Sequence, residues 1–88
     1  MSAKQNNGDN HQVEKRALLR KIGSHIHRRL GELGKTNEWL SFQSGIARST
    51  IFEIIAGRSN ARILTLYMIS DALGYSSLLA FLSAALRE

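Results

Sequence analysis

The stretch that decides the fold covers residues 36–57 and reads TNEWLSFQSGIARSTIFEIIAG. Leu40 and Ser41 put a large and a small residue on the inner face of a first short helix, where a second helix approaches closely. Gly45 lies at the point where the chain must turn sharply, because glycine adopts positive φ at little cost. Ile46 follows this turn and fills the space between the two helices. The spacing predicts two short helices joined by a tight turn.

The second of these helices has two different faces. Ile51 and Ile54 are spaced to anchor it to a core. Its opposite face then presents Arg48, Ser49, Phe52 and Glu53. A helix that is held by one face and presents the other fits the major groove of DNA, which is about 12 Å wide. The pattern is that of a helix-turn-helix, with a recognition helix over about residues 48–56.

Helical periodicity precedes this unit. An apolar stripe predicts a helix over residues 13–33, and its members are Leu19, Ile22, Ile26, Leu30 and Leu33. Gly34 ends this helix as a residue suited to positive φ, and Thr36 is an N-cap for the next one, over residues 37–44.

Helical periodicity also follows the unit, and no segment alternates with a period of two. Two further helices are predicted, over residues 63–73 and 77–87. Gly74 closes the first, and Ser76 is the expected cap of the second. The predicted fold class is therefore all-α, with five short helices in one domain.

Composition limits the function. Eighty-eight residues form one domain. Residues 1–12 are polar and lack periodicity, which predicts a flexible N-terminal tail before a domain over residues 13–88. The chain has no cysteine and no apolar run near the roughly 18 residues of a membrane span. We expect a cytoplasmic, nucleoid-associated protein without a membrane anchor.

The positive charge is concentrated in one segment. The net charge is +5, and residues 13–35 hold seven cations against two anions, which accounts for all of it. Such a segment indicates either a polyanionic partner or a solvated helix face, and charge alone leaves both interpretations open.

The order and spacing of several motifs resemble the XRE/Cro-C1 family of bacterial and phage proteins, which includes lambda repressor. The resemblance covers about residues 22–81 and rests on Ile22-Gly23, Ile26, Leu30, Thr36-Asn37, Leu40, Gly45-Ile46, Arg48-Ser49-Thr50-Ile51, Gly57-Arg58, Asn60, Thr65-Leu66, Ile69, Ala72-Leu73-Gly74 and Ser76. It implies a lambda-repressor-like DNA-binding domain and a small transcriptional regulator, more often a repressor than an activator.

The resemblance also implies roles for matching positions. The residues expected to contact bases are Arg48, Ser49, Phe52 and Glu53. The residues expected to contact phosphates are Arg28, Arg29, Asn37, Thr50, Arg58, Asn60 and Arg62. For Arg28 and Arg29, a solvated helix face is the alternative interpretation.

The last two helices carry more apolar residues than one short domain can cover, which predicts a homodimer. The expected interface residues are Leu64, Met68, Leu78, Leu79, Phe81 and Leu82. A two-fold dimer would present its recognition helices about 34 Å apart to a pseudo-palindromic DNA site.

Trp39 and Phe42 admit two interpretations. They either pack back onto the first helix, which we favour, or form an exposed patch for a protein partner. The second interpretation supports an alternative function, a protein–protein interaction adaptor that has lost DNA reading. No arrangement of nucleophile and base predicts an enzyme, and His25 and His27 face different sides of a helix, so neither a metal nor another cofactor is expected.

Overall fold

Five helices and their connections make up the whole described chain. The computed structural model describes the backbone of residues 2–87 and the side chains of residues 12–87. The helices are α1 (Ser2–Leu33), α2 (Asn37–Ser44), α3 (Arg48–Ile55), α4 (Ile63–Ala72) and α5 (Leu78–Leu86). Residues 2–87 contain no strand, and the predicted all-α, five-helix fold is confirmed.

The start of α1 differs from the sequence-based boundary. The helix begins at Ser2 instead of Val13, so its backbone continues through most of the predicted tail. Met1 and the side chains before Gln12 lie outside the described residues. The mobility predicted for residues 1–12 stays a prediction.

One apolar core joins all five helices. Helix α1 packs against α3 and α5, α2 packs against α3 and α4, and α4 packs against α5. The buried core residues are Ile22, Ile26, Leu30, Leu40, Ile51, Ile54, Leu66, Ile69, Leu73, Phe81 and Ala85. Burial of each large aliphatic or aromatic side chain contributes about 1.5–3 kcal/mol, so packing holds these short helices in place.

Helix α1 touches the end of α3 at Gly23. A Cβ atom at this position would lie 2.3 Å from the carbonyl oxygen of Ile55 and 2.7 Å from that of Ile54. Only a residue without a side chain permits this approach, because real Cβ atoms do not come so close to backbone oxygens. Gly23 thereby fixes the position of α3 relative to the longest helix.

The turn between α2 and α3 is held by glycine and two serines. Gly45 has φ 77°, as the sequence predicted. The Ser41 hydroxyl donates to the Ile46 carbonyl (2.5 Å), and the buried Ser44 hydroxyl accepts from the Ile46 amide (3.2 Å). At the start of α2, Thr36 is the N-cap and accepts from the Trp39 amide. The angle between α2 and α3 is therefore fixed by local hydrogen bonds as well as by Ile46.

A polar and aromatic cluster ties α1 to the connection between α4 and α5. His25 is buried, forms a hydrogen bond to the Tyr75 hydroxyl (2.5 Å), and packs beside Phe81. Burial is the main cause that lowers the pKa of His25, and Arg28 adds to the effect. Arg29 lies over the Tyr75 ring, and its Nε donates to the Leu73 carbonyl at 3.2 Å.

Three sequence-based expectations need correction. The cap of α5 is Ser77, whose side chain accepts from the Ala80 amide, and not Ser76. Leu33 is exposed, because α1 leaves the core after Leu30. Phe81 is fully buried inside the domain, where it packs against His25 and Tyr75. It therefore cannot contribute to a dimer interface without unfolding its own subunit.

Candidate nucleic-acid interface

The outer face of α3 is open to solvent. Ile51 and Ile54 are buried on the inner face, and the four residues predicted to read bases all lie exposed on the other side: Arg48, Ser49, Phe52 and Glu53. Phe52 exposes about half of its surface (51%). The structure therefore places these four side chains together on one accessible helix face, at the N-terminal and middle turns of α3.

Arg48 forms an ion pair with α2. Its Nη1 lies 3.5 Å from the Glu38 carboxylate, and both side chains are more than half exposed. A pair that is this exposed contributes about 0–1 kcal/mol to stability. Arg48 can therefore leave Glu38 for another acceptor at small cost.

Glu53 and Arg58 form a bidentate ion pair. The Arg58 Nη2 donates to one carboxylate oxygen at 2.7 Å, and its Nε donates to the other at 3.1 Å. These hydrogen bonds lower the pKa of Glu53 and raise the pKa of Arg58. A residue predicted to read bases and one predicted to contact phosphate therefore neutralise each other in the protein without DNA.

The other predicted phosphate contacts are divided between surface and interior. Arg28, Asn60 and Arg62 are exposed, and Asn37 and Thr50 are partly buried on α2 and α3. Arg29 differs, because its guanidinium is occupied by the Leu73 carbonyl, the Tyr75 ring and Glu32. These contacts give Arg29 a part in the packing of the domain, and its predicted phosphate contact stays a prediction.

A basic groove lies beside the end of α3. It separates the first half of α1 from the residues after α3, has a volume of about 550 Å³, and is lined by Gln12, Lys15, Arg16, Leu19, Arg20, Ala56, Gly57 and Arg58. The sequence has an excess of cations in this part of the chain, but none of Lys15, Arg16 and Arg20 was predicted to belong to a site. Only the packing of α1 against α3 places them beside Arg58.

An apolar strip covers the outer side of α4. It consists of Ile63 (62% exposed), Leu64 (70%), Tyr67 (52%) and Met68 (39%), two adjacent pairs one helical turn apart. Leu79 of α5 is also exposed (74%). Leu78 and Leu82 are partly buried against the core. Ile63 and Tyr67 were not predicted from the sequence, although their helical spacing from Leu64 and Met68 was a usable signal.

The two aromatic residues of α2 have different environments. Trp39 packs against the core, and Lys35 Nζ lies 5.4 Å from its ring centroid. Phe42 is 84% exposed, the highest value among the large apolar side chains of the described region. Phe42 therefore does not pack back onto the first helix, whereas Trp39 is partly buried at the edge of the core.

Two other features are absent from the described residues. Within the side chains of residues 12–87, no three His, Asp or Glu residues come together as a metal site would require. None of the helices in the described part of the chain combines the length and the apolar character that crossing a bilayer requires.

Comparison with known protein families gives one match. The family model described as helix-turn-helix matches residues 26–79, which is more than half of the 88 residues. The matched segment contains α2, α3 and α4, and it leaves the first part of α1 and most of α5 outside. No curated protein and no solved structure gives a significant match.

Proposed function

Since the chain belongs to the XRE/Cro-C1-type helix-turn-helix family of DNA-binding regulators, we propose that it recognises a specific double-stranded DNA sequence and acts as a transcriptional repressor. The observation that carries this proposal is the contrast between the two sides of α3. Its inner side is buried, and its outer side presents polar residues to solvent. A helix supported in this way can enter the major groove.

Base reading would fall to the outer residues of α3. Arg48 at the start of the helix has the geometry for two hydrogen bonds to guanine, and Glu53 can accept from the cytosine amino group. Ser49 would add a hydrogen bond, and Phe52 an apolar contact to a thymine methyl group. Each correct pair of this kind is worth about 1–3 kcal/mol against the wrong base.

Phosphate contacts would surround this helix. The side chains proposed for them are Arg28, Asn37, Thr50, Arg58, Asn60 and Arg62. They come from α1, α2, α3 and the loop before α4, so they would fix the orientation of α3 on the duplex. Because such contacts release counterions, affinity should fall steeply as salt increases.

We further propose that two copies pair through the apolar strip of α4 together with Leu79. Leu64, Met68 and Leu79 are exposed, as residues of a dimer interface must be in the free subunit. Ile63 and Tyr67 enlarge the same apolar surface. An exposed apolar strip of this kind is costly in water, and a two-fold partner would cover it. Leu64→Glu should convert the dimer to a monomer in sedimentation equilibrium, whereas Leu33→Glu, at an exposed apolar residue outside the strip, should not. A monomeric wild-type protein would contradict the dimer.

The function is tested by selection of bound oligonucleotides from a random pool, followed by binding measurements on the best site. Arg48→Ala should weaken binding to that site by about 1–3 kcal/mol, roughly 5- to 150-fold, and should relax base preference at one position. Arg87→Ala is the matched control, since it removes an equal charge at the end of α5. If the pool yields no enriched sequence, the proposal of specific DNA reading is wrong.

The exposed Phe42 supports a second candidate, the protein-interaction adaptor. An aromatic side chain that is 84% exposed is suited to insertion into a pocket of a partner. Phe42→Ala and Arg48→Ala distinguish the two functions. Under the adaptor hypothesis Phe42→Ala abolishes capture of a protein partner and Arg48→Ala has no effect on any binding, whereas under DNA reading Arg48→Ala reduces DNA affinity.

A further inference from the structure

We propose that the first half of α1 carries additional contacts to DNA phosphates, made by Lys15 and Arg16 in the basic groove beside the end of α3. This inference rests on the proposed DNA binding. It extends that function to residues that precede the segment matched by the helix-turn-helix family, which begins at residue 26. The partner chemistry is the sugar-phosphate backbone of a duplex.

The packing of α1 brings the groove next to the recognition helix. Gly23 allows α1 to lie against the carbonyl groups that end α3, and the helix then runs past Gly57. A Cβ atom on Gly57 would lie only 3.1 Å from Arg20 Cγ. The two walls of the groove are therefore held together at Arg20 and Gly57, and Arg58 faces Lys15 and Arg16 across an open space of about 550 Å³.

The groove is strongly cationic. Four of its eight lining residues are Lys15, Arg16, Arg20 and Arg58. Among the described residues, the only carboxylate paired with any of these four is Glu53, which is bound to Arg58. Lys15 and Arg16 are exposed. Within residues 12–87, neither of these two positive charges has a carboxylate partner, and in such a case phosphate binding displaces the solution ions that surround the cation and the phosphate.

The shape favours a polymer backbone over a small anion. The lining cations are long, exposed side chains spread along a helix, whereas small-anion sites enclose the ligand with short, buried donors. The groove also continues from Arg58, which belongs to the loop proposed to follow the phosphates. One DNA strand could therefore run from this loop onto α1.

A structural role for these cations is the competing explanation. Positive side chains near a helix C-terminus interact favourably with its dipole, and Arg20 packs its stem on Gly57 at the end of α3. Replacing Arg20 would therefore disturb packing as well as charge, so Arg20 is not suited to a test of phosphate contacts. Lys15 and Arg16 lie nearer the N-terminus of α1 than Arg20 does. Their replacement by alanine, a strong helix former, should therefore leave folding intact.

The experiment compares two double variants of the full chain. Lys15→Ala/Arg16→Ala removes the proposed contacts. Lys21→Ala/Arg87→Ala removes the same charge elsewhere: Lys21 lies on the flank of α1 beside Leu86, and Arg87 follows α5. DNA affinity is measured over a range of salt concentrations on the best site selected with the wild-type protein. We expect the first double variant alone to reduce the slope of log affinity against log salt by about 1–2, with base preference unchanged.

Each outcome has a defined meaning. If wild-type protein binds the selected site and both double variants have the same slope, the inference is overturned and the proposed function stands. If wild-type protein binds no specific site, the proposed function fails first. Inorganic phosphate is titrated separately into the protein without DNA. Saturable phosphate binding that Lys15→Ala/Arg16→Ala abolishes, with an unchanged DNA slope, would assign the groove to a small anion and contradict the inference.

Duplexes with single methylphosphonate substitutions provide a second measurement, because each substitution removes one phosphate charge. Phosphates contacted by Lys15 or Arg16 should matter to the wild-type protein and not to the Lys15→Ala/Arg16→Ala variant. If every substitution affects both proteins equally, Lys15 and Arg16 make no phosphate contact and the inference is overturned.

Discussion

The two faces of α3 are held by different physical means. On the inner face, Ile51 is fully buried, Ile54 nearly so, and Gly23 of α1 lies against the terminal carbonyl groups. On the outer face, the ion pairs of Arg48 and Glu53 are largely exposed. The inner contacts are close-packed and tolerate almost no change in volume, whereas exposed ion pairs contribute little to stability.

Because of this difference, one set of residues fixes the position of α3 and another set is available to recognise DNA. The inner face determines where α3 lies, and the outer face can exchange its intramolecular partners for DNA at small cost. Substitutions on the inner face should therefore unfold the protein, and substitutions on the outer face should change binding and leave stability nearly unchanged. The predictions below test this contrast from the largest expected effect to the smallest.

Gly23→Ala should have the largest effect. The added Cβ would meet backbone oxygens that cannot move without shifting α3. We expect the free energy of unfolding to fall by about 3 kcal/mol or more, measured by urea denaturation. Gly31→Ala is the matched control, because nothing lies within 4 Å of its Cβ position. It should stabilise α1 by about 0.5–1 kcal/mol, and equal losses in the two variants would refute the close-contact argument.

Ile51→Ala and Phe52→Ala compare adjacent residues on opposite faces. Ile51 is fully buried and Phe52 is 51% exposed. Ile51→Ala should lower the free energy of unfolding by about 2–5 kcal/mol through the cavity it leaves. Phe52→Ala should change stability by less than about 1 kcal/mol and alter DNA binding instead. Similar destabilisation by both would show that the outer face is also part of the core.

Titration of His25 should have an intermediate effect on the free energy of unfolding. Its folded pKa is lowered by burial and by Arg28 and Arg29, with Glu32 acting in the opposite direction. Because the unfolded chain binds the proton more tightly, stability is highest above the unfolded pKa of about 6.5 and declines as pH falls towards the folded pKa.

The measurement is the free energy of unfolding between pH 8 and pH 5. His25→Gln should flatten the decline, since it removes the titrating group. His27→Gln, on the exposed side of α1, should retain it. A decline that survives His25→Gln and disappears in His27→Gln would contradict this assignment.

Glu53→Gln should have the smallest effect on stability and a visible one on binding. Loss of the carboxylate releases Arg58 and removes a negative charge from the proposed DNA surface. Affinity for non-specific DNA should rise, and the ratio of specific to non-specific affinity should fall. Thermal melting and competition binding measure the two quantities. A reduced affinity for non-specific DNA would show that the ion pair aids binding.

Much of the fold was predictable from local signals. Thr36 and Gly45 defined the ends of α2 because capping and positive φ have strong residue preferences. The cap at Ser77 was misplaced by one residue because two adjacent serines are chemically equivalent as caps. The extension of α1 before Val13 was missed, since polar residues without apolar periodicity give no helical signal.

The site was predictable only in part, because its charges depend on tertiary contacts. The outward direction of Arg48 and Phe52 follows from the periodicity of α3. The engagement of Arg29 with Leu73 joins residues that are 44 positions apart, and nothing in the local sequence indicates it. The same is true of Lys15 and Arg16, which approach Arg58 only because Gly23 lets two helices touch.

The contribution of α5 to the core has a consequence for synthesis on the ribosome. Phe81 and Ala85 are fully buried, and α1 packs against α5 as well as α3. A nascent chain that ends before α5 contains α2, the turn and α3 but lacks the side chains of Phe81 and Ala85 that complete the core. We expect such a chain to stay unfolded, so a newly made molecule gains the ability to bind DNA only after residue 85 has left the exit tunnel.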